Sequence, residues 1–170
     1  IAFIVTAYIG FMYFVPFHTD ANLPLLGLIV SSSIIFLLGI VDDARGLNAP
    51  VKFTVQIIAS VILWFYGGRI ELLTNPFGTE IPLGIFSLPF TVLWLVGVTN
   101  AINLIDGMDG LACGISFIAS FTLLLISLVQ NDSVIAILMA ALAGSTLGFL
   151  RFNLPPASIF MGNTGALTLG

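Results

Sequence analysis

The chain has 170 residues, of which 59% are hydrophobic and 7% charged, and its mean hydropathy is +1.18. Soluble domains carry about 25% charged residues, so this chain has too little polar surface to cover a globule in water; the composition is that of an integral membrane protein. The net charge of −4 argues against nucleic-acid binding, which needs a basic face.

In chain order, apolar segments cover 1–17, 25–41, 51–66, 89–99, 111–130 and 134–150, and a last one starts near 159. A membrane-spanning helix needs about 20 residues, with about 17 as the lower end. Segments 25–41, 111–130 and 134–150 meet that length. Segment 51–66 falls just short and needs flanking residues, and segment 89–99 spans only if it continues through Thr99-Asn100-Ala101. Between 67 and 88, short alternating runs flank Asn75-Pro76-Phe77-Gly78, which predicts a small surface β-hairpin. The expected fold class is all-α membrane, a polytopic transmembrane helix bundle with that hairpin, in one domain over 1–170. The chain begins at Ile1 and stops at Gly170, both inside apolar runs, which predicts an internal fragment truncated at both ends.

If each segment crosses once, loops 18–24, 67–88 and 131–133 share one side, and loops 42–50, 100–110 and 151–158 share the other. The second side holds Arg45, Lys52 and Arg151, and the first holds only Arg69. The positive-inside rule then predicts that the second side faces the cytoplasm. The same parity puts three polar motifs together at that end.

The first motif is Gly39-Ile-Val-Asp42-Asp43-Ala-Arg-Gly46. Neighbours on a helix point about 100° apart, so these carboxylates converge on one partner only if the helix end frays. The alternative is a solvated loop. The second is Asn100-Ala-Ile-Asn103-Leu-Ile-Asp106-Gly-Met-Asp109-Gly110. A helix would place Asn103, Asp106 and Asp109 on one face, and a loop broken by Gly107 and Gly110 would still group them. Such oxygens suit a hard cation such as Mg²⁺. The alternative is an Asn/Asp/Gly turn. The third is Phe160-Met-Gly162-Asn163-Thr-Gly165, where glycines let a backbone approach a ligand and a helix N-terminus attracts phosphate. The alternative is an ordinary N-cap by Asn or Thr.

Lys52 and Arg151 are candidate phosphate donors or, equally, positive-inside anchors. Gln56, four residues after Lys52, shares its helical face. His18 falls on the opposite side and is given no catalytic role. Trp64 and Trp94 read as belt or core aromatics, and Cys113 as a packing residue. Together the motifs fit phosphoryl chemistry at a membrane surface.

These stretches, GIVDDARGLNAPVKFTVQ at 39–56, TNAINLIDGMDGLACGIS at 99–116 and FMGNTGALTLG at 160–170, resemble the polyprenyl-phosphate N-acetylhexosamine-1-phosphate transferases. The wording is nearer the GlcNAc-1-phosphate branch than the muramoyl-pentapeptide branch. The resemblance implies attack of undecaprenyl phosphate on a UDP-N-acetylhexosamine, most simply UDP-GlcNAc, with release of UMP and with Mg²⁺ or Mn²⁺ as cofactor. It implies catalytic roles for Asp42, Asp43, Asp106 and Asp109 and metal contacts for Asn103 and Asn163. It implies substrate or phosphate contacts for Lys52, with Asn100, Gly162 and Arg151 as further candidates. The partners implied are the two substrates and the bilayer of the plasma membrane, with the site on its cytoplasmic face; a homodimer is left open.

Asn163 departs from the family, which has Asp there. The expectation is weaker Mg²⁺ binding and reduced activity, and an inactive 170-residue fragment. The competing readings are a transporter or channel, which would put acids deep in helices and on both sides, and a non-catalytic homologue that binds lipid phosphate.

Overall fold

A computed structural model describes residues 22–75 and 78–170. The expected first segment, His18 and the centre of the predicted hairpin turn lie outside the described residues. Helices occupy Asn22–Arg45 (α1), Ala49–Phe65 (α2), Ser87–Ile105 (α3), Leu111–Val129 (α4), Ser133–Asn153 (α5) and Gly162–Leu169 (α6). Two-residue strands, Leu72–Leu73 (β1) and Ile81–Pro82 (β2), pair antiparallel in the register Leu72↔Pro82 and Leu73↔Ile81. The predicted surface hairpin is therefore present, reduced to its minimum.

Among the described residues, four segments are long and apolar enough to cross a membrane: Leu23–Arg45, Gly84–Ile105, Leu111–Val129 and Ser133–Asn153. Large apolar side chains such as Leu37, Leu93, Ile118, Phe121 and Leu147 are exposed on them, as expected where hydrocarbon rather than water is the solvent. The all-α membrane bundle is borne out. The α2 helix has 17 residues and stays just under full span length. The α3 helix runs past Ala101 to Ile105, so Asn100 and Asn103 are helical.

Local chemistry sets the ends. The α1 helix carries Pro24 in its first turn, where a missing N–H is harmless, and stops at Gly46, whose φ of +66° suits a left-handed cap. Pro50 opens α2. Asp132 caps α5 by accepting the Ile135 N–H at 3.1 Å.

Lipid supplies no hydrophobic drive for helix association, so small residues must allow close packing. The buried faces of α4 (Ala112, Cys113, Ser116, Ser120) and α5 (Ala136, Ala143, Thr146) follow this rule, and Cys113 Sγ donates to the Thr146 carbonyl at 3.1 Å. The short α6 packs on both α1 and α3. A Cβ on Gly39 would stand 2.5 Å from Thr164 Cα, so α1 and α6 meet backbone to backbone at that glycine. This packing brings the ends of α1, α3 and α5 and the start of α6 to one end of the bundle.

Candidate active site

The α1 helix stays regular through Arg45, and the adjacent carboxylates of Asp42 and Asp43 therefore diverge. The convergence expected of a frayed end does not occur. Asp42 turns inward and is 4% exposed. Its Oδ2 pairs with Lys52 Nζ at 3.0 Å, and its Oδ1 accepts the Leu47 N–H at 2.7 Å. This clamps the α1–α2 connection and uses Lys52, a predicted phosphate donor, as an internal counter-ion.

Asp43 turns the other way and caps α6. Its Oδ1 accepts the Asn163 N–H at 2.9 Å; its Oδ2 accepts the Thr164 N–H at 2.9 Å and the Thr164 hydroxyl at 2.5 Å. The N-terminus of α6, expected to be capped by its own Asn or Thr or to receive phosphate, thus receives a carboxylate from 120 residues earlier. Gly162 makes room for it. Its φ is +67°, and a Cβ there would meet Asp43 Oδ2 at 3.0 Å.

The second motif is split. Asn103, in the last turn of α3, donates from Nδ2 to Asn163 Oδ1 at 2.9 Å, linking the two predicted metal-contact residues. Asp106 ends α3 half-buried, and no donor among the described residues bonds its carboxylate. Burial, and secondarily the charge of Asp43, holds its pKa above the ordinary carboxylate value. Asp109 is exposed and accepts the Ala157 N–H at 3.0 Å, which takes it to the α5–α6 loop instead of the face of Asn103. Asp109 therefore leaves the single face expected to hold it with Asn103 and Asp106.

Asn100, a predicted substrate residue, is turned inward. Its Nδ2 donates to Gln56 Oε1 and to the Val96 carbonyl, each at 2.7 Å. Arg151 is exposed in the last turn of α5 and joins neither ion pair found among the described residues, Asp42–Lys52 and Arg69–Glu71.

Asn153, which sequence reasoning missed, is 3% exposed at the end of α5. Its Oδ1 accepts the Gly110 N–H at 3.1 Å and its Nδ2 donates to the Ile159 carbonyl at 3.1 Å. One amide therefore fastens the turn after α3 to the loop before α6. A signal was available: an Asn closing an apolar helix two residues before Pro155-Pro156 in a chain this poor in polar groups.

The outcome is a small polar floor of Asp43, Asn103, Asp106, Asn163 and Thr164 at one end of the bundle. No group of three His, Cys, Asp or Glu side chains able to hold a metal exists among the described residues. Two carboxylates and two amide oxygens do suit Mg²⁺ in its usual mode, one or two protein carboxylates completed by waters and substrate phosphates.

A profile of the family described as "Glycosyl transferase family 4" matches residues 25–170. The chain is 46% identical over 142 residues to a probable undecaprenyl-phosphate N-acetylglucosaminyl 1-phosphate transferase of Bacillus subtilis, an alignment covering 83% of this chain and 40% of that relative. It is 35% and 37% identical to the phospho-N-acetylmuramoyl-pentapeptide-transferases of Caldanaerobacter subterraneus and Listeria innocua, covering 100% of this chain and 56% of each. The chain thus spans about half the length of the curated relatives it matches. The higher identity to the N-acetylglucosaminyl relative agrees with the branch expected from the motifs.

Proposed function

Because the chain belongs to glycosyl transferase family 4, we propose that the full gene product carrying it transfers an N-acetylhexosamine 1-phosphate, GlcNAc-1-phosphate in the first instance, from a UDP-sugar to undecaprenyl phosphate. A lipid phosphate oxygen bonds to the sugar-linked phosphorus, the bond between the two phosphates breaks, and UMP leaves with the electron pair. Such a step would initiate a cell-wall or surface polysaccharide. We place it at the cytoplasmic face of the plasma membrane, in keeping with Arg45, Lys52 and Arg151 near the site end and Arg69 at the other.

The observation that carries this reading is Asp106: a half-buried carboxylate with no donor among the described residues, within the field of Asp43, which itself accepts the Asn163 N–H. A carboxylate so placed is suited to a cation. Asp106 and Asp43 would hold Mg²⁺ with Asn103 and Asn163 as neutral oxygen neighbours; bound there, Mg²⁺ would neutralise phosphate charge. The Asp42–Lys52 pair fixes the α1–α2 corner, and Asp43 holds the α6 N-terminus so that Asn163 stands opposite Asn103. Catalysis by this floor is mainly positioning and charge stabilisation, as phosphoryl transfer requires.

The test is Mg²⁺-dependent UMP release from UDP-GlcNAc with undecaprenyl phosphate, for the full gene product as found and with Asn163→Asp. The substituted carboxylate can still accept from Asn103 Nδ2 and adds a charge, so the Mg²⁺ requirement should fall about tenfold. Activity in both supports the transferase. Activity only in Asn163→Asp means a disabled metal site. Silence in both, with UDP-GlcNAc and with other UDP-N-acetylhexosamines, favours a homologue that binds lipid phosphate without catalysis.

A further inference from the structure

The helices do not all reach equally far from the polar floor. Helix α1 has 24 residues and α5 has 21, about 36 and 31 Å at 1.5 Å per residue, and both cross a hydrocarbon core of about 30 Å. Helix α2 has 17 residues, about 25 Å. Its first turn holds Lys52, tied to Asp42 at the floor end of α1. From Lys52 to Phe65 is only about 20 Å. With its floor end at one edge of the hydrocarbon, α2 stops about 5–10 Å short of the other edge. Tilt would shorten it further.

The chain beyond that point is not helical. Non-helical backbone at membrane depth is tolerated only where protein takes up its polar groups. The base of the 67–86 connection meets that condition. The Gly67 and Gly68 N–H groups donate to the Trp64 and Leu63 carbonyls at 3.1 and 3.0 Å. Leu83 N–H donates to the Glu71 carbonyl at 2.8 Å, and Phe86 N–H to that of Leu83 at 2.9 Å. Ile70 N–H reaches into α3 for Thr91 Oγ1 at 3.0 Å, and that hydroxyl donates to the Ser87 carbonyl at 2.7 Å. The Trp64 indole donates to Ser87 Oγ at 3.1 Å. Thr91 and Ser87 are 2% and 5% exposed. In a loop standing in water, solvent would serve these donors. The cation here is also neutralised in place. Arg69 Nε lies 2.6 Å from Glu71 Oε1, and its guanidinium 5.7 Å from the centre of the Trp64 ring.

The side chains sort by height. Thr74, Asn75, Thr79 and Glu80 flank the turn at the tip. Ile85 and Phe86 lie at the base, just before α3, and the described residues leave them 89% and 68% exposed. An interfacial element buries its apolar side about 5–10 Å into the boundary between headgroups and acyl chains, which is the depth that α2 leaves open.

We propose that the base of this hairpin is sunk into the leaflet opposite the polar floor, with Ile85 and Phe86 among the glycerol and upper acyl carbons of its phospholipids and the tip in the headgroup layer. The hairpin then completes the span that α2 leaves short. The proposal does not depend on the transferase reading, because it concerns the end of the bundle away from the floor.

Nitroxide labels read this depth without an activity assay. The full gene product, freed of native cysteines with Cys113→Ser among the changes, is labelled singly through Ile85→Cys, Phe86→Cys or, at the tip, Glu80→Cys. Each variant is placed in vesicles of dioleoylphosphatidylcholine and dioleoylphosphatidylglycerol. Power-saturation spectra compare collisions with oxygen, which dissolves in lipid, and with a neutral nickel chelate, which stays in water. The labels at 85 and 86 should favour oxygen, at about 5–10 Å below the lipid phosphates, and the label at 80 should favour the chelate. All three side chains replaced are exposed, so the labels do not disturb packing. The proposal is overturned if the labels at 85 and 86 meet the chelate as readily as the label at 80. It is also overturned if neither reagent reaches them, which would put another protein segment or a second copy of the chain over the base.

Discussion

Asp43 holds Thr164 by two bonds to one oxygen, from the backbone N–H and from the hydroxyl, and through them α1 carries the cap of α6. The carboxylate therefore has a structural role that its neighbour Asp42 cannot share. Asp43→Ala should lower stability by about 1–2 kcal/mol, the usual range for a lost N-cap. Thermal unfolding in detergent, with proteolysis at residues 160–165 as a local readout, checks this. Asp43→Asn, which keeps an acceptor, should recover part of the loss.

The Asp42–Lys52 pair makes a different prediction. Removing the cation leaves an almost fully buried carboxylate uncompensated, so Lys52→Met should cost about 2 kcal/mol or more. Asp42→Asn combined with Lys52→Met should be milder than Lys52→Met alone. A double-mutant cycle measured by thermal unfolding reads this directly, and additivity of the two substitutions would show that the pair is not coupled.

Asp106 predicts a pH dependence. Its folded pKa is raised by burial and by Asp43, so the ionised carboxylate costs stability. That cost is absent below the ordinary value of 3.8 and grows as pH rises through the raised value. Asp106→Asn should therefore be more stable than the unsubstituted protein at neutral pH, by less than about 1 kcal/mol because the site is half open to solvent, and no different in strong acid. Added Mg²⁺ should raise the melting temperature of the unsubstituted protein and leave Asp106→Asn unchanged.

Asn153→Ala removes an acceptor from Gly110 and a donor from Ile159 together, at about 2 kcal/mol for a buried group with two bonds. Asn153→Asp keeps the first bond but sets a carboxylate against the Ile159 carbonyl, and should be at least as harmful. Hydrogen exchange at Gly110 should quicken in both.

The spans were legible because hydropathy needs only neighbouring residues, and the shared end of the three motifs followed from counting crossings. What the sequence hid was direction. Whether Asp42 and Asp43 converge depends on one more helical turn, through Arg45, and nothing in that turn forbids either outcome. The cap of α6 comes from another helix, so no local pattern around Asn163 announces it. Asn100 reads like a site residue because it stands three before Asn103, yet the helix carries its amide inward to Gln56. Asp109 leaves the group because the chain turns at Gly107 and Gly110, which takes it off the face of Asn103.

The double attachment of Asn153 also limits how chains of this family can be recombined. A segment swap with a relative that breaks between the α3–α4 turn and the α5–α6 loop would separate two halves of one joint. The exchangeable unit at this end of the bundle is residues 106–161 taken whole, and donor chimeras cut inside it should assemble poorly even where every membrane span is conserved in length.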